Sequence, residues 1–149
     1  DDHAGQRGML MGAKRWRKLF KPRWKIIWDR VHHYGLYTFL HMCGDTSEVV
    51  PDLIEAGLDC MESCQPECMD IFKLKSEYGK EIRFWGGLGA QSTVPFGTME
   101  EVRSKTRELK RKLGAGGGYI LDMAKAPDEN VSPANILAYL EEASRPRTA

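Results

Sequence analysis

No run of apolar residues in this 149-residue chain is long enough to cross a membrane, and no charged start leads into a hydrophobic core and a small-residue cleavage site. These absences point to a soluble, cytoplasmic protein with no membrane partner. Charge of one sign is not in excess either: 22 Lys and Arg face 21 Asp and Glu, a formal net charge of +1. Positive charge is interleaved with tryptophan only over residues 14–25, so no nucleic-acid partner is expected. Cysteine is scarce. The four thiols, Cys43, Cys60, Cys64 and Cys68, fall in one short region beside a histidine. Without a signal peptide that pattern reads as free thiols or metal ligands rather than a disulfide framework. No glycine-rich nucleotide fingerprint follows a strand, since Gly116, Gly117 and Gly118 precede one.

What is present is an alternation of short apolar segments and helical patterns. Residues 1–11 are polar and punctuated by glycine, and read as loop. From Lys14, Trp16, Leu19, Phe20, Trp24, Ile27 and Val31 recur at helical spacing, with Pro22 either breaking the helix or opening a second one. Strands are predicted over residues 37–43, 58–64, 82–87 and 119–122. Between them the pattern predicts a helix capped by Ser47 and running to Ala56, one over residues 70–78, and one from the Thr98/Glu101 capping box to Leu113. Ser132 and Pro133 open a last helix over residues 134–143.

Strand and helix alternating four times means parallel strands with right-handed crossovers, in a doubly wound sheet or a (β/α)₈ barrel. The barrel is favoured by where the polar residues fall. His41 and Cys43, Glu62 and Gln65, residues 86–91 and residues 122–125 all lie at or just past the carboxyl ends of strands, the face on which barrels carry chemistry. A full barrel needs roughly 250 residues, so four repeats make about half of one. The chain reads as a single partial α/β domain over residues 1–149.

The stretch that organises the rest is His41-Met42-Cys43-Gly44-Asp45. In an extended chain residues i and i+2 share a face, which brings the His41 imidazole and the Cys43 thiolate close enough for one metal ion. Zinc accepts both donors. The competing reading is a strand-end histidine beside an inert thiol.

The runs LFKPRWKIIWDRVHHYG, HMCGD, DLIEAGLD, QPECMDIFKLKSEYG, FWGGLGAQSTVPFGTMEEV, GGGYI and VSPANILAYLEEA resemble, in order and spacing, the C-terminal half of the uroporphyrinogen decarboxylase superfamily. The resemblance implies a (β/α)₈ barrel of which strands five to eight are here and the N-terminal half is absent. Its members include the haem-pathway decarboxylase, which is metal-free, and zinc-dependent methyltransferases that move methyl groups between corrinoid proteins and thiols. The methyltransferases place His-x-Cys at the end of the fifth strand, which His41 and Cys43 match. Their third ligand, a cysteine near the end of the eighth strand, has no counterpart among residues 121–125. A related cobalamin-independent methionine synthase places a glutamate ligand about one βα unit after its His-x-Cys. Glu62 stands there, so the expected metal set is His41, Cys43 and Glu62, with Cys64 able to share the face of Glu62. The decarboxylase places a histidine where this chain has Lys125, and much of the family has an aspartate where Gly89 stands.

The first expectation is therefore zinc-dependent methyltransferase-like chemistry: activation of a thiol and methyl transfer from a corrinoid or related donor, the corrinoid carried on a partner protein. The alternatives are a metal-free decarboxylase acting on a tetrapyrrole in porphyrin biosynthesis, and an inactive half-barrel that self-associates through exposed edges. Three further site residues are expected. Asp2 matches an acidic pair after the fourth strand of relatives and would contact substrate or the groups behind it. Gln91 would contact a substrate amide, and Lys125 an acidic substrate group. Gln65 reads either as a substrate contact or as a helix cap, Cys60 as a small apolar core residue, and Cys68 as a loop or first-turn residue.

Overall fold

A computed structural model describes residues 2–146. Two short strands, β1 (Ala4–Gly5) and β2 (Gly8–Met9), pair antiparallel at the start of the chain. This hairpin is absent from the sequence reading, because two-residue strands carry no periodicity. Two helices follow, α1 (Ala13–Leu19) and α2 (Lys21–His33), with Pro22 in the first turn of α2. Of the two roles open to Pro22, it opens the second helix, where its missing N–H costs nothing.

Four parallel strands, β3 (Phe39–His41), β4 (Cys60–Ser63), β5 (Arg83–Leu88) and β6 (Tyr119–Met123), line up in sequence order as β3-β4-β5-β6. This order has no reversal, so no switch point of a doubly wound sheet falls among these strands. The fold is α/β, with α3 (Val50–Ala56), α4 (Ile71–Tyr78), the single turn α5 (Thr93–Phe96), α6 (Met99–Lys112) and α7 (Pro133–Ser144) as crossovers and closing helix. The first two strands are shorter than predicted. Tyr37, Thr38, Met42 and Cys43 lie outside β3, and Leu58, Asp59 and Cys64 outside β4. Ser47 does not cap α3. It lies in a 3-10 turn over Ser47–Val49 and donates its own N–H to Asp45 Oδ1 (3.0 Å), and the helix starts at Val50 with Pro51 in its first turn. The Thr98/Glu101 capping box and the Ser132 cap form as the sequence predicts.

Register decides which side chains share a face. Leu40, Met61, Phe84 and Tyr119 are neighbours across the sheet and point at the helices; the first three are buried, and Phe84 is fully enclosed. Removing such a side chain from water is worth about 1.5–3 kcal/mol. The alternate residues point the other way. His41, Glu62, Trp85 and Ile120 form one row, and Phe39, Cys60 and Arg83 the row before it. No element among the described residues covers this second face, and Phe39 (54%) and Ile120 (44%) are left exposed on it.

On the helical side, α1 and α2 are tied to α3 by charge. Asp52 accepts from Arg17 Nε (2.7 Å) and Lys21 Nζ (2.8 Å). Asp59, just before β4, accepts from the Thr38 N–H (2.7 Å) and pairs with His32 Nε2 (2.7 Å). These contacts fix where β3 begins.

Candidate metal and thiol site

His41 is the last residue of β3, and its register partner is Glu62 on β4. The two side chains therefore emerge side by side, and His41 Nδ1 lies 2.5 Å from Glu62 Oε2. The other ring nitrogen, Nε2, lies 3.3 Å from Cys43 Sγ. Cys43 is beyond the strand proper, yet it keeps the facing that alternation predicts. The Met42 N–H still donates to the Glu62 carbonyl (2.9 Å), which carries the extended geometry one residue further.

The turn after Cys43 is held from two sides. Gln65, buried, accepts from the Gly44 N–H (3.1 Å). Asp70, not Gln65, caps the following helix, and the Gln65 side-chain oxygen supports the turn. From the other side, the Asp45 N–H donates to the Gly5 carbonyl (2.9 Å), which docks the N-terminal hairpin on the turn. Gly44 has a φ of 87°, and a Cβ there would lie 2.6 Å from the Gly5 oxygen, so only glycine allows this approach. The hairpin delivers Asp2, whose Oδ1 accepts from the Cys43 N–H (2.8 Å). One ligand atom from each of Asp2, His41 and Cys43 lies within 4.8 Å of the others.

The other thiols do not join this group. Cys64 takes a left-handed φ of 48°, which ends the alternation, and its thiol turns inward to the Met61 carbonyl (3.5 Å). It therefore does not share the face of Glu62, and burial pushes its pKa up to about 12. Cys60 is buried, with burial raising its pKa to about 11. Alternation puts it not among the helix-facing core residues but on the open face, in the floor of a concavity of about 410 Å³ also lined by Tyr37, Phe39 and Arg83. Cys68 is half-buried in the turn after Gln65.

Of the expected residues, Gln91 and Lys125 remain. Gln91 is exposed; its Oε1 accepts from Gln6 Nε2 (2.6 Å) and its N–H donates to Glu67 Oε1 (3.0 Å). Lys125 is exposed in the loop after β6, beyond the edge of the sheet opposite β3. Three strand spacings, roughly 14 Å, separate those edges along the sheet. At Gly89, where the resemblance implies an aspartate, a Cβ would meet Glu67 Oε1 at 2.7 Å. The Glu67 carboxylate therefore occupies the space beside Gly89, where it also accepts from Ser92 Oγ (2.7 Å). Sequence reasoning also missed Trp85. It stands next to Glu62 on the open face, its Nε1 donates to Asp122 Oδ2 (3.0 Å), and its ring meets Phe39 edge-on at 5.7 Å. The strand register from Glu62 is the signal that would have found it.

Comparison with known proteins identifies the family. The family model for uroporphyrinogen decarboxylase matches residues 3–145. A methylated-thiol–coenzyme M methyltransferase of Methanosarcina mazei is 30% identical over 99 residues, which is 66% of this chain and 25% of that protein. The solved structure of a methyltransferase from Methanosarcina mazei superposes with a TM-score of 0.72 at 19% identity, covering 90% of this chain and 37% of its own. The chain thus spans a quarter of the length of the first relative and little more than a third of the second.

Proposed function

This chain belongs to the uroporphyrinogen decarboxylase family, and from that membership we propose that it supplies the fifth to eighth βα units of a (β/α)₈ barrel performing zinc-dependent methyl transfer to a thiol. The observation that carries the reading is the pair His41 Nε2 and Cys43 Sγ, 3.3 Å apart at a strand end. Two such donors on one tetrahedral zinc lie about 3.5 Å apart, so the pair needs only a small adjustment. One carboxylate, from Asp2 or from Glu62, is at hand to complete three protein ligands and leave a fourth position open. Nitrogen, sulfur and oxygen donors together suit zinc better than a hard oxygen-seeking cation.

Zinc bound there supplies positive charge that lowers the pKa of a thiol docked beside it. This chain's residues do the rest. Glu62 holds the His41 ring through Nδ1, the Gln65 and Gly5 bonds hold the turn that carries Cys43, and Trp85 and Phe39 wall the open face next to them. The thiol proton leaves to solvent. The sulfur lone pair then forms the new S–CH₃ bond, while the bond from methyl to its donor breaks and its electron pair stays on the donor. A corrinoid carried by a partner protein suits that donor role, as the resemblance to the methyltransferases of the superfamily implies. Gln91 and Lys125 would meet more distant parts of a substrate, an amide and an acidic group respectively.

A metal-free decarboxylase is the second reading, supported by the description of the matching family and opposed by Lys125 in place of the decarboxylase histidine. Adding a thiol to zinc-loaded protein near neutral pH separates the two. Methyl transfer requires release of about one proton per site, abolished by Cys43→Ser. Decarboxylation without zinc and no thiol-linked proton release would favour the second reading.

A further inference from the structure

We propose that Asp2, rather than Glu62, is the third protein ligand of the metal site, and that Glu62 acts on the metal only through His41. This rests on the zinc reading above and narrows it. The spacing of the donors decides between the two carboxylates. Two light-atom ligands of one tetrahedral zinc lie about 3.3 Å apart, whereas Glu62 Oε2 and His41 Nδ1 are 2.5 Å apart. That separation is a hydrogen bond, with Nδ1–H donating to the carboxylate. The ring is thereby fixed as the tautomer whose lone pair is on Nε2, and Nε2 is the atom that faces Cys43. A carboxylate behind a ligating histidine is the recurrent way of orienting the ring and raising its basicity.

Asp2 stands on the other side of the pair. It is held beside Cys43 by the main-chain N–H of Cys43 itself, and the docked hairpin fixes its approach. Its carboxylate, His41 and Cys43 are the group whose ligand atoms converge. Leu121, Asp122, Met123, Ala124 and Lys125 include no cysteine to serve as third ligand, and Cys64 is turned into the core. The chain thus replaces a sulfur ligand from the last strand with an oxygen ligand from the segment before β1.

The test is a gain of signal. In Asp2→Cys, X-ray absorption at the zinc edge should count two sulfurs where the parent has one, and the sulfur-to-cobalt charge-transfer absorbance of the cobalt(II)-loaded protein should double. Glu62→Gln should keep the one-sulfur shell and bind zinc about 10–100-fold more weakly. Asp2→Ala should lose affinity and Asp2→Glu recover it, with circular dichroism confirming the fold of each variant. A one-sulfur shell in folded Asp2→Cys, or parental affinity in Asp2→Ala, overturns the assignment while the zinc reading stands. A parent that binds no zinc overturns the zinc reading itself, and this assignment with it.

Discussion

At the scale of single residues, the site depends on one strand register. His41 and Glu62 meet because β3 and β4 pair Leu40 with Met61 and so place the next two residues side by side. A slip of one residue would turn Glu62 toward the helices. His41 and Cys43 were legible in the sequence because alternation along a single strand suffices to bring them together. Glu62 was expected as a metal ligand from the family resemblance, but its contact with Nδ1 was not legible, since that needs the register between two strands. The contact of Asp2 with Cys43 spans 41 positions, and nothing in local periodicity reports it. Gln65 was similarly ambiguous, because whether a strand-end amide caps a helix or braces a neighbouring turn depends on what packs beside it. The Gly44→Ala variant follows from this. It should be destabilised by about 2–3 kcal/mol, because φ is positive and the new Cβ meets the Gly5 oxygen. Chemical denaturation checks the stability, and chelator competition should show weaker zinc binding because the hairpin carrying Asp2 is pushed away.

At the scale of elements, two of the predicted caps were read well, and the Ser47 cap and the strand ends poorly. The Thr98 box and the Ser132 cap are encoded within a few residues, so they form as predicted. Thr98→Ala should cost about 1 kcal/mol in denaturant unfolding. Strand length is set instead by which neighbour is in register, and so the first two strands came out shorter than their apolar runs. The clamp between α1, α2 and α3 has its own pH signature. Burial pushes the Asp52 carboxyl up, but hydrogen bonds from Lys21 and Arg17 outweigh it and hold the pKa below its ordinary value. The unfolded chain therefore takes up the proton first as pH falls. The stabilisation is complete above the ordinary carboxylate pKa of about 4 and is lost as pH drops through the lower folded value. Asp59, pushed up by burial and held down more strongly by His32 and Thr38, works in the same direction. Urea midpoints should fall between about pH 5 and pH 3, and Asp52→Asn should flatten that fall.

At the scale of the whole molecule, one face of the sheet is covered by helices and the other is open. Tyr37, Phe39 and Ile120 are exposed around its concavity, and β3 and β6 each keep one unpaired side among the described residues. Such a surface is sticky. The 149-residue chain should self-associate in sedimentation velocity, and the double substitution Phe39→Glu and Ile120→Lys should shift it toward monomer. A parent that is monodisperse and monomeric at high concentration would contradict this. The repeated βα pattern made the parallel sheet legible, because four strand-helix alternations leave few topologies open. The N-terminal hairpin was not, although it docks on the turn that holds the site. The central claim is that the end of β3 is a metal site, and metal content tests it most directly. Protein purified without chelator under reducing conditions, with zinc supplied, should carry close to one equivalent, and His41→Ala should carry none. A folded parent that retains no zinc, or a His41→Ala variant that retains as much as the parent, would contradict the account.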